Sequence, residues 1–327
     1  YYSWYSFKKW PTQYESWWDF DTLPNVKENN PEYGNYINGE TGIIRKWLQL
    51  GASGWRLDVA DELPDEFLDN LRAAAKTAYG IRRRYLQGFQ LDTVMNYPFR
   101  EAILGFLTGA HSSLCMEQIE DILENYPPQA IKLLMNHIGT HDTERAITVL
   151  AGYPCNGNSR EWQSETHLTP EQYETGISKL RLASLLQFTL PGVPCIYYGD
   201  EAGLEGYRDP FNRGCYPWGH ENSDLLNWYQ TLSHLRKRLR VLKDGHLRNV
   251  YSHNDILSFQ RYVQNDSGDE ESILVAVNRS DSNALIPLHL ESPKHLLGTS
   301  YSEEWKLPPF GFSILKLKKK VPPPASV

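Results

Sequence analysis

The chain has 327 residues, 40% of them hydrophobic, and a formal net charge of −7 at pH 7. This length suggests about two domains, since a domain commonly holds ~100–200 residues. The negative charge argues against a nucleic-acid partner, because nucleic-acid-binding surfaces are usually basic.

Neither a signal peptide nor a membrane-spanning helix is predicted. The first residues lack a charged segment followed by an apolar run, and no apolar stretch reaches the ~18 residues that a spanning helix needs. We therefore expect a bacterial cytoplasmic protein without a membrane partner. The four cysteines form no CxxC pair, so we predict reduced thiols and no zinc site (Cys115, Cys155, Cys195 and Cys215).

The chain begins with a segment rich in aromatic residues. Residues 1–36 also contain much proline and asparagine and have no clear period, which predicts a long ordered loop, and such loops are usually functional. Their rings could stack on sugars or fill a core. Apolar residues at helical spacing follow over residues 39–51, with Gly51 as the terminal glycine, and again over 63–78, with Pro64 near the start.

Four apolar runs then predict strands. They are GWRLDVA (54–60), LDTVMNY (91–97), KLLMNHIGTHD (132–142) and VPCIYYGDE (193–201). Helical patterns lie between or after them, opening at Pro98 and covering residues 113–126, 169–190 and 224–243. This alternation predicts parallel βα units, whose functional groups gather at the carboxyl ends of the strands. We therefore expect Asp58, Asp142 and Asp200 to lie at one rim.

After Gly245 the pattern changes to short β-rich runs without helices between them. This predicts an antiparallel β-sandwich. We accordingly divide the chain into a catalytic domain at residues 1–245 and a β-sandwich domain at residues 246–327.

Two short segments pair an aspartate with a basic residue. Arg56 stands two positions before Asp58, which places both on one face of a strand, and His141 directly precedes Asp142. Taken singly, each could be a structural ion pair or a chance dipeptide. Taken together at predicted strand ends, they favour glycoside hydrolysis, in which carboxyl groups attack or stabilise the anomeric carbon and protonate the leaving oxygen.

The segments GWRLDVADE, MNYPFR, GTHDTER and GVPCIYYGDEAGLEGYRDPFNRGCYPW, in this order, resemble those of the α-amylase superfamily. The resemblance is strongest to its neopullulanase, cyclomaltodextrinase and maltogenic amylase branch, which LPNVKENNPEY also resembles. It implies a (β/α)8 barrel, of which only part of the strands is present, followed by a C-terminal antiparallel β-sandwich. It also implies a retaining double displacement on α-linked glucans.

Carried over by motif, the resemblance makes Asp58 the nucleophile and Asp142 the transition-state stabiliser. Substrate-binding roles fall on the remaining matched residues (Arg56, His141, Glu62, Asp209 and Arg213). A structural ion pair between Asp209 and Arg213 is an equally good interpretation of these two residues. We interpret Asn96 and Tyr97 as packing and strand-end residues. Trp218 could be a platform for a sugar ring, and we favour a core indole.

The sequence departs from the family at the catalytic acid. The family carries a glutamate on the strand between GWRLDVA and the MNYPF strand, but residues 67–100 here contain no glutamate. The family's earlier strands are absent too. The chain could be an incomplete record of a longer enzyme, a fragment, or a degenerate homologue, and we favour the first because the remaining motifs are intact.

Our leading hypothesis is a retaining glycoside hydrolase that cleaves α-1,4 and α-1,6 links in maltooligosaccharides, cyclodextrins or pullulan. Transglycosylation and a homodimer are left open. The rival is a catalytically inactive glucan-binding homologue or fragment, and a third alternative is an isomerase or glucosyltransferase of the same superfamily. We predict no cofactor, while calcium binding is left open.

Overall fold

The computed structural model describes residues 1–76, 91–264 and 270–318. The chain divides into two compact units, Tyr1–Asp92 and Thr93–Val327. The domain boundary predicted after residue 245 falls inside the second unit and stays a prediction. None of the described helices is long and apolar enough to cross a membrane.

The described part of the first unit contains a small β-hairpin, three α-helices and three 3-10 helices of three residues each. Its strands are β1 (Phe7–Lys9) and β2 (Gln13–Tyr14), and its α-helices are α1 (Pro31–Asn38), α2 (Ile43–Gln49) and α3 (Asp65–Lys76). The helices share an apolar core formed by Ile44, Phe67, Leu71 and Ala74.

Two helix predictions in this unit are confirmed and one loop prediction is corrected. Helix α2 ends before Gly51, whose φ of 105° needs a glycine, and α3 buries the predicted apolar face. The end predicted for α3, at residues 77 and 78, lies outside the described residues. The loop predicted for residues 1–36 overlaps α1, which begins where Asn30 Oδ1 accepts hydrogen bonds from the amides of Glu32 and Tyr33.

The strand predicted at GWRLDVA is wrong. Residues 54–57 have no regular secondary structure, and no described segment pairs with them. Trp55 is 38% exposed. A parallel strand is held by partners on its edges and by burial of both faces, so an apolar sequence without such partners does not become a strand.

The second unit begins with a helical layer around short parallel strands. In chain order these elements are α4 (Tyr97–Thr108), α5 (Ser112–Asn125), α6 (Pro128–Ile131), β3 (Met135–Asn136), α7 (Ala146–Leu150), α8 (Arg160–Glu165), α9 (Pro170–Thr189), β4 (Val193–Pro194), α10 (Ser223–Arg238) and α11 (Arg240–Asp244).

The parallel arrangement predicted for three of the strands is confirmed, although the strands are shorter than predicted. Met95 forms a parallel bridge with Met135, and β3 pairs in parallel with β4. Met135 N–H donates to the Val94 carbonyl at 3.1 Å, and Val193 N–H donates to the Leu134 carbonyl at 2.8 Å. Because β3 and β4 run in the same direction, the turn after β3 and the segment after β4 both begin at the carboxyl ends of these strands.

The rest of the second unit is a strand-rich region. Its strands are β5 (His246–His253), β6 (Ile256–Gln264), β7 (Glu270–Asn278), β8 (Ala284–Leu285), β9 (Lys294–Gly298), β10 (Lys306–Leu307) and β11 (Phe312–Leu317). Five of them form one antiparallel sheet in the order β5-β6-β7-β11-β9, and β10 pairs with β8. The predicted antiparallel pairing is confirmed, whereas the sandwich stays a prediction.

Arg261 ties this sheet to the helix that leads into β4. Its guanidinium is fully buried and donates hydrogen bonds to the carbonyls of Thr189, the last residue of α9, and of Gly245, the latter at 2.7 Å. Burial lowers the pKa of Arg261 to about 9, so the side chain stays charged at neutral pH. It thereby caps the C-terminus of α9, where a positive charge is favourable.

Replacing Arg261 should destabilise the protein. We expect Arg261→Met to lower the free energy of unfolding by roughly 2–4 kcal/mol, because it leaves buried carbonyls without donors. Urea unfolding followed by circular dichroism measures this. The same substitution at exposed Arg238 is the control, and equal effects of the two variants would contradict this role for Arg261.

Candidate active site

Asp142 lies in the turn after β3, where its carboxylate contacts Tyr97 and His141 and is open to solvent. Its Oδ1 is 3.1 Å from His141 Nε2, and its Oδ2 accepts a hydrogen bond from the Tyr97 hydroxyl at 3.1 Å. The Asp142 side chain is 53% exposed. The carboxylate is therefore fixed in orientation while remaining accessible to a substrate.

The turn that presents Asp142 is built by its two threonines and by a buried amide. Thr140 Oγ1 accepts a hydrogen bond from Asp142 N–H at 3.2 Å and lies 3.2 Å from Thr143 Oγ1. From outside the turn, Asn212 Nδ2 donates to the carbonyls of His141 and Thr143, each at 2.7 Å. Threonine hydroxyls that bond nearby backbone groups favour turns over helix or strand.

Tyr97 reaches Asp142 because helix α4 begins beside the strand end. Asn96 caps this helix, since its Oδ1 accepts the Phe99 N–H at 3.3 Å, while its Nδ2 donates to Asn136 Oδ1 at 3.0 Å. The sequence interpretation of Asn96 as a packing and strand-end residue is confirmed. For Tyr97, the first residue of the capped helix, it missed the contact with Asp142.

His137 is buried beneath this site. Its ring lies 4.6 Å from the Tyr97 ring in an edge-to-face arrangement, and neither ring nitrogen has a hydrogen-bond partner among the described residues. Burial lowers the pKa of His137 to about 4, and the positive charge of Arg100 adds to the shift. The ring is therefore neutral at physiological pH.

Asp200 follows β4 but is buried rather than exposed at a rim. Its Oδ1 lies 3.5 Å from Arg145 Nη1, and a side chain at Gly139 would come within 2.4 Å of its Oδ2. Burial raises the pKa of Asp200 to about 7, while the charge of Arg145 opposes the shift. The sequence analysis did not anticipate this burial, and the placement of Asp200 at one rim with Asp58 and Asp142 stays a prediction.

The two residues predicted on the substrate loop form a pair. Arg213 Nη2 lies 3.1 Å from Asp209 Oδ2, and both side chains are exposed. The pairing proposed as the alternative for them is thus present, and a contact with substrate stays a prediction. Trp218, expected to be a core indole, is instead 80% exposed.

In the first unit, Arg56 and Asp58 also form a pair. Arg56 Nη2 lies 2.9 Å from Asp58 Oδ1, and the Asp58 side chain is 73% exposed. Although the segment is not a strand, the predicted contact between the two side chains exists. An exposed pair contributes little to stability, so it does not by itself explain the presence of a carboxylate here.

Glu62 holds two neighbouring indoles in the first unit. Its carboxylate accepts hydrogen bonds from Trp17 Nε1 at 2.7 Å and Trp18 Nε1 at 2.9 Å. The two indoles are stacked, with ring centroids 4.6 Å apart. The substrate-binding role predicted for Glu62 is not tested by these contacts, which the sequence analysis did not anticipate.

Within residues 1–76, 91–264 and 270–318, no three histidine, cysteine, aspartate or glutamate side chains lie close enough to hold a metal ion. The predicted lack of a cofactor stays a prediction.

Comparison with known proteins gives a consistent result. The model of the α-amylase catalytic domain matches residues 72–223. The amylopullulanase of Thermoanaerobacterium thermosulfurigenes is 34% identical over 316 residues, which cover 84% of this chain and 17% of that protein. The cyclomaltodextrinase of Geobacillus thermopakistaniensis is 29% identical over 95% of this chain and 53% of that protein. The chain thus spans about half, or less, of the length of these curated relatives.

Solved structures agree. The debranching enzyme of Nostoc punctiforme superposes with a TM-score of 0.78 at 26% identity, covering 96% of this chain and 69% of that chain. The type III pullulan hydrolase of Thermococcus kodakarensis gives a TM-score of 0.78 at 27% identity, with coverages of 96% and 54%. These relatives confirm the resemblance that the motifs indicated.

The buried, neutral His137 predicts a dependence of stability on pH. Its pKa in the folded state lies below the unfolded value, so between about pH 6.5 and pH 4 only the unfolded chain binds the proton, and stability falls as the pH falls. Between pH 7.5 and pH 5 this group should contribute a loss of about 2 kcal/mol in the free energy of unfolding.

The variant His137→Phe should lose less stability than the original protein over this pH range. Urea unfolding at the two pH values measures the difference, and His220→Phe, at an exposed position, is the control. A variant with the same pH dependence as the unsubstituted protein would contradict the assignment.

Proposed function

Because this chain belongs to the α-amylase family, we propose that it is part of a retaining glycoside hydrolase acting on α-linked glucans. Its substrates would be α-1,4 and α-1,6 links in maltooligosaccharides, cyclodextrins or pullulan, and sugars as well as water would accept the glycosyl group. The parallel strands would belong to a partial (β/α)8 barrel over residues 1–245, followed by a β-sandwich over residues 246–327.

One observation carries this proposal: the environment of Asp142. A carboxylate that accepts a hydrogen bond from a tyrosine hydroxyl and lies 3.1 Å from a histidine nitrogen, yet is half exposed, can meet the hydroxyl groups of a sugar with little reorganisation. Interactions fixed in advance, which strengthen as the ring flattens, stabilise a transition state more than a ground state. Asp142 would act as this stabiliser, with His141 and Tyr97 fixing it.

Asp58 would be the nucleophile. In the first step one of its carboxylate oxygens bonds to the anomeric carbon as the bond to the leaving oxygen breaks, and that oxygen takes a proton from an acid. In the second step water attacks the anomeric carbon, loses a proton to the same group, and releases Asp58. Arg56, 2.9 Å away, would orient Asp58 and stabilise its negative charge.

The remaining matched residues would bind substrate. Glu62 lies against two stacked indoles, whose faces suit the apolar faces of sugar rings. Asp209 and Arg213 expose a charged pair that can exchange hydrogen bonds with sugar hydroxyls. The partner would therefore be a glucan chain that contacts several sites.

The acid is the one component without a candidate, because residues 67–100 contain no glutamate. General acid catalysis contributes ~10²–10⁴-fold, and a sugar leaving group depends on it. Fluoride, by contrast, leaves without being protonated. A glycosyl fluoride therefore tests the nucleophile and the stabiliser separately from the acid.

The test uses the full chain with α-maltosyl fluoride and, in parallel, pullulan, β-cyclodextrin and maltotriose. We expect fluoride release that falls by roughly 10³-fold or more in Asp58→Asn and in Asp142→Asn. It should be unchanged in Asp121→Asn, at an exposed position on α5. A fluoride electrode and a reducing-sugar assay measure the two reactions.

Each outcome is informative. Fluoride release without cleavage of the glucans supports the proposed nucleophile and locates the deficit at the acid, and release of reducing sugar supports the complete hydrolase. Activity that survives Asp58→Asn rules out this nucleophile. Glucan binding by calorimetry without fluoride release would replace the hydrolase with the glucan-binding alternative.

A further inference from the structure

The side chain of Asn212 contacts three carbonyl oxygens of the turn that carries Asp142, and Asn212 itself lies outside that turn. Its side chain is fully buried, and its Nδ2 lies 2.7 Å from the carbonyl oxygens of His141 and Thr143 and 3.4 Å from that of Thr140. We propose that Asn212 is the positioning residue that fixes this turn to the loop carrying Asp209 and Arg213. This inference rests on the proposed function for its catalytic meaning.

The chemistry of the contact requires a donor. The carboxamide nitrogen has two N–H groups, which the two short hydrogen bonds use fully. The carbonyls on either side of Asp142 can only accept, so an oxygen at this position would repel them. An asparagine therefore does here what the isosteric aspartate cannot.

The loop before Asn212, which lies in the short 3-10 helix Phe211–Arg213, is itself fixed at several points. The carbonyl of Gly206 accepts the Arg145 N–H at 2.9 Å, and the N–H of Gly206 donates to Thr148 Oγ1 at 3.0 Å. At Gly206, φ is 157°, and an added Cβ would lie 2.4 Å from the Phe211 carbonyl, so only glycine permits this close approach. The Tyr197 hydroxyl also reaches the main-chain oxygen of Asn212 at 3.4 Å.

This arrangement joins two parts of the site that are far apart in sequence. Residues 140–143 hold His141 and Asp142, whereas residues 209–213 hold the exposed pair of Asp209 and Arg213. The buried Asn212 amide belongs to the second segment and donates hydrogen bonds to the first. When a sugar contacts the exposed pair, Asp142 would therefore already be in its reactive orientation. Loss of the amide would free the turn without removing any group that touches the substrate.

Two variants separate positioning from packing. Asn212→Asp keeps the volume and removes the donors, whereas Asn212→Ala removes both. A packing role predicts that Ala is the more damaging substitution, and a positioning role predicts that Asp is at least as damaging. Asn283→Asp, at an exposed loop position, is the matched control.

The first measurement is hydrogen exchange of a peptide covering residues 139–146 in the full chain, which needs no activity. We expect exchange there to accelerate by roughly tenfold or more in Asn212→Asp, with no change in peptides from β5 and β6. Exchange like that of the unsubstituted protein overturns the proposal. If Asn212→Asp loses protection throughout, Asn212→Ala decides, and unchanged exchange at residues 139–146 in that variant also overturns it.

The second measurement is turnover of α-maltosyl fluoride. We expect kcat to fall by roughly 10²-fold while KM changes little, because misplacement of Asp142 affects the transition state more than substrate binding. A rise in KM alone would overturn the positioning role. If the unsubstituted chain releases no fluoride, the proposed function fails, and the exchange measurement still decides whether Asn212 holds the turn.

Discussion

Buried backbone carbonyls at the ends of the short parallel strands need donors, and the arrangement of the second unit depends on how they are supplied. The strands contribute only two residues each, so their ladders satisfy few of these groups. Side-chain amides provide the rest: Gln187 donates to the carbonyls of Asn136 and Cys195 at 3.0 and 2.8 Å, and Asn136 donates to that of Pro191 at 2.6 Å. In the same way, the Asn212 amide donates hydrogen bonds to carbonyls of the turn that carries Asp142. Side-chain amides therefore hold both the strand ends and the turn that carries Asp142.

Burial separates the charged groups of the second unit into two kinds. Asp142 is exposed and accepts a hydrogen bond from the Tyr97 hydroxyl, which suits a carboxylate that meets a ligand. Asp200 is buried against Arg145 and the backbone, where desolvation raises its pKa. Sequence position alone does not distinguish the two, since each aspartate follows a parallel strand. Exposure does distinguish them, because the Asp142 side chain is 53% exposed whereas Asp200 is buried.

The sequence predicted those parts of the fold that depend on local patterns. Helix α9 is an example, because Thr169 and Gln172 form a capping box directly before a long apolar pattern. The strand at residues 54–60 was predicted from an apolar run, but a parallel strand depends on partners that are distant in sequence. Likewise the motifs identified Asp142 and His141, whereas the contacts of Tyr97 and Asn212 required the tertiary structure. Asn212 lies 70 residues after Asp142, and no local pattern connects the two.

We propose that Asp58 forms a covalent bond with the substrate and that Asp142 stabilises the transition state. The most direct measurement is mass spectrometry of peptides after incubation of the full chain with 5-fluoro-α-maltosyl fluoride, whose second fluorine slows release of the glycosyl group. The account predicts a glycosyl label on the peptide containing Asp58, lost in Asp58→Asn and much reduced in Asp142→Asn. A label on another carboxylate, or no label although the sugar binds, would contradict it.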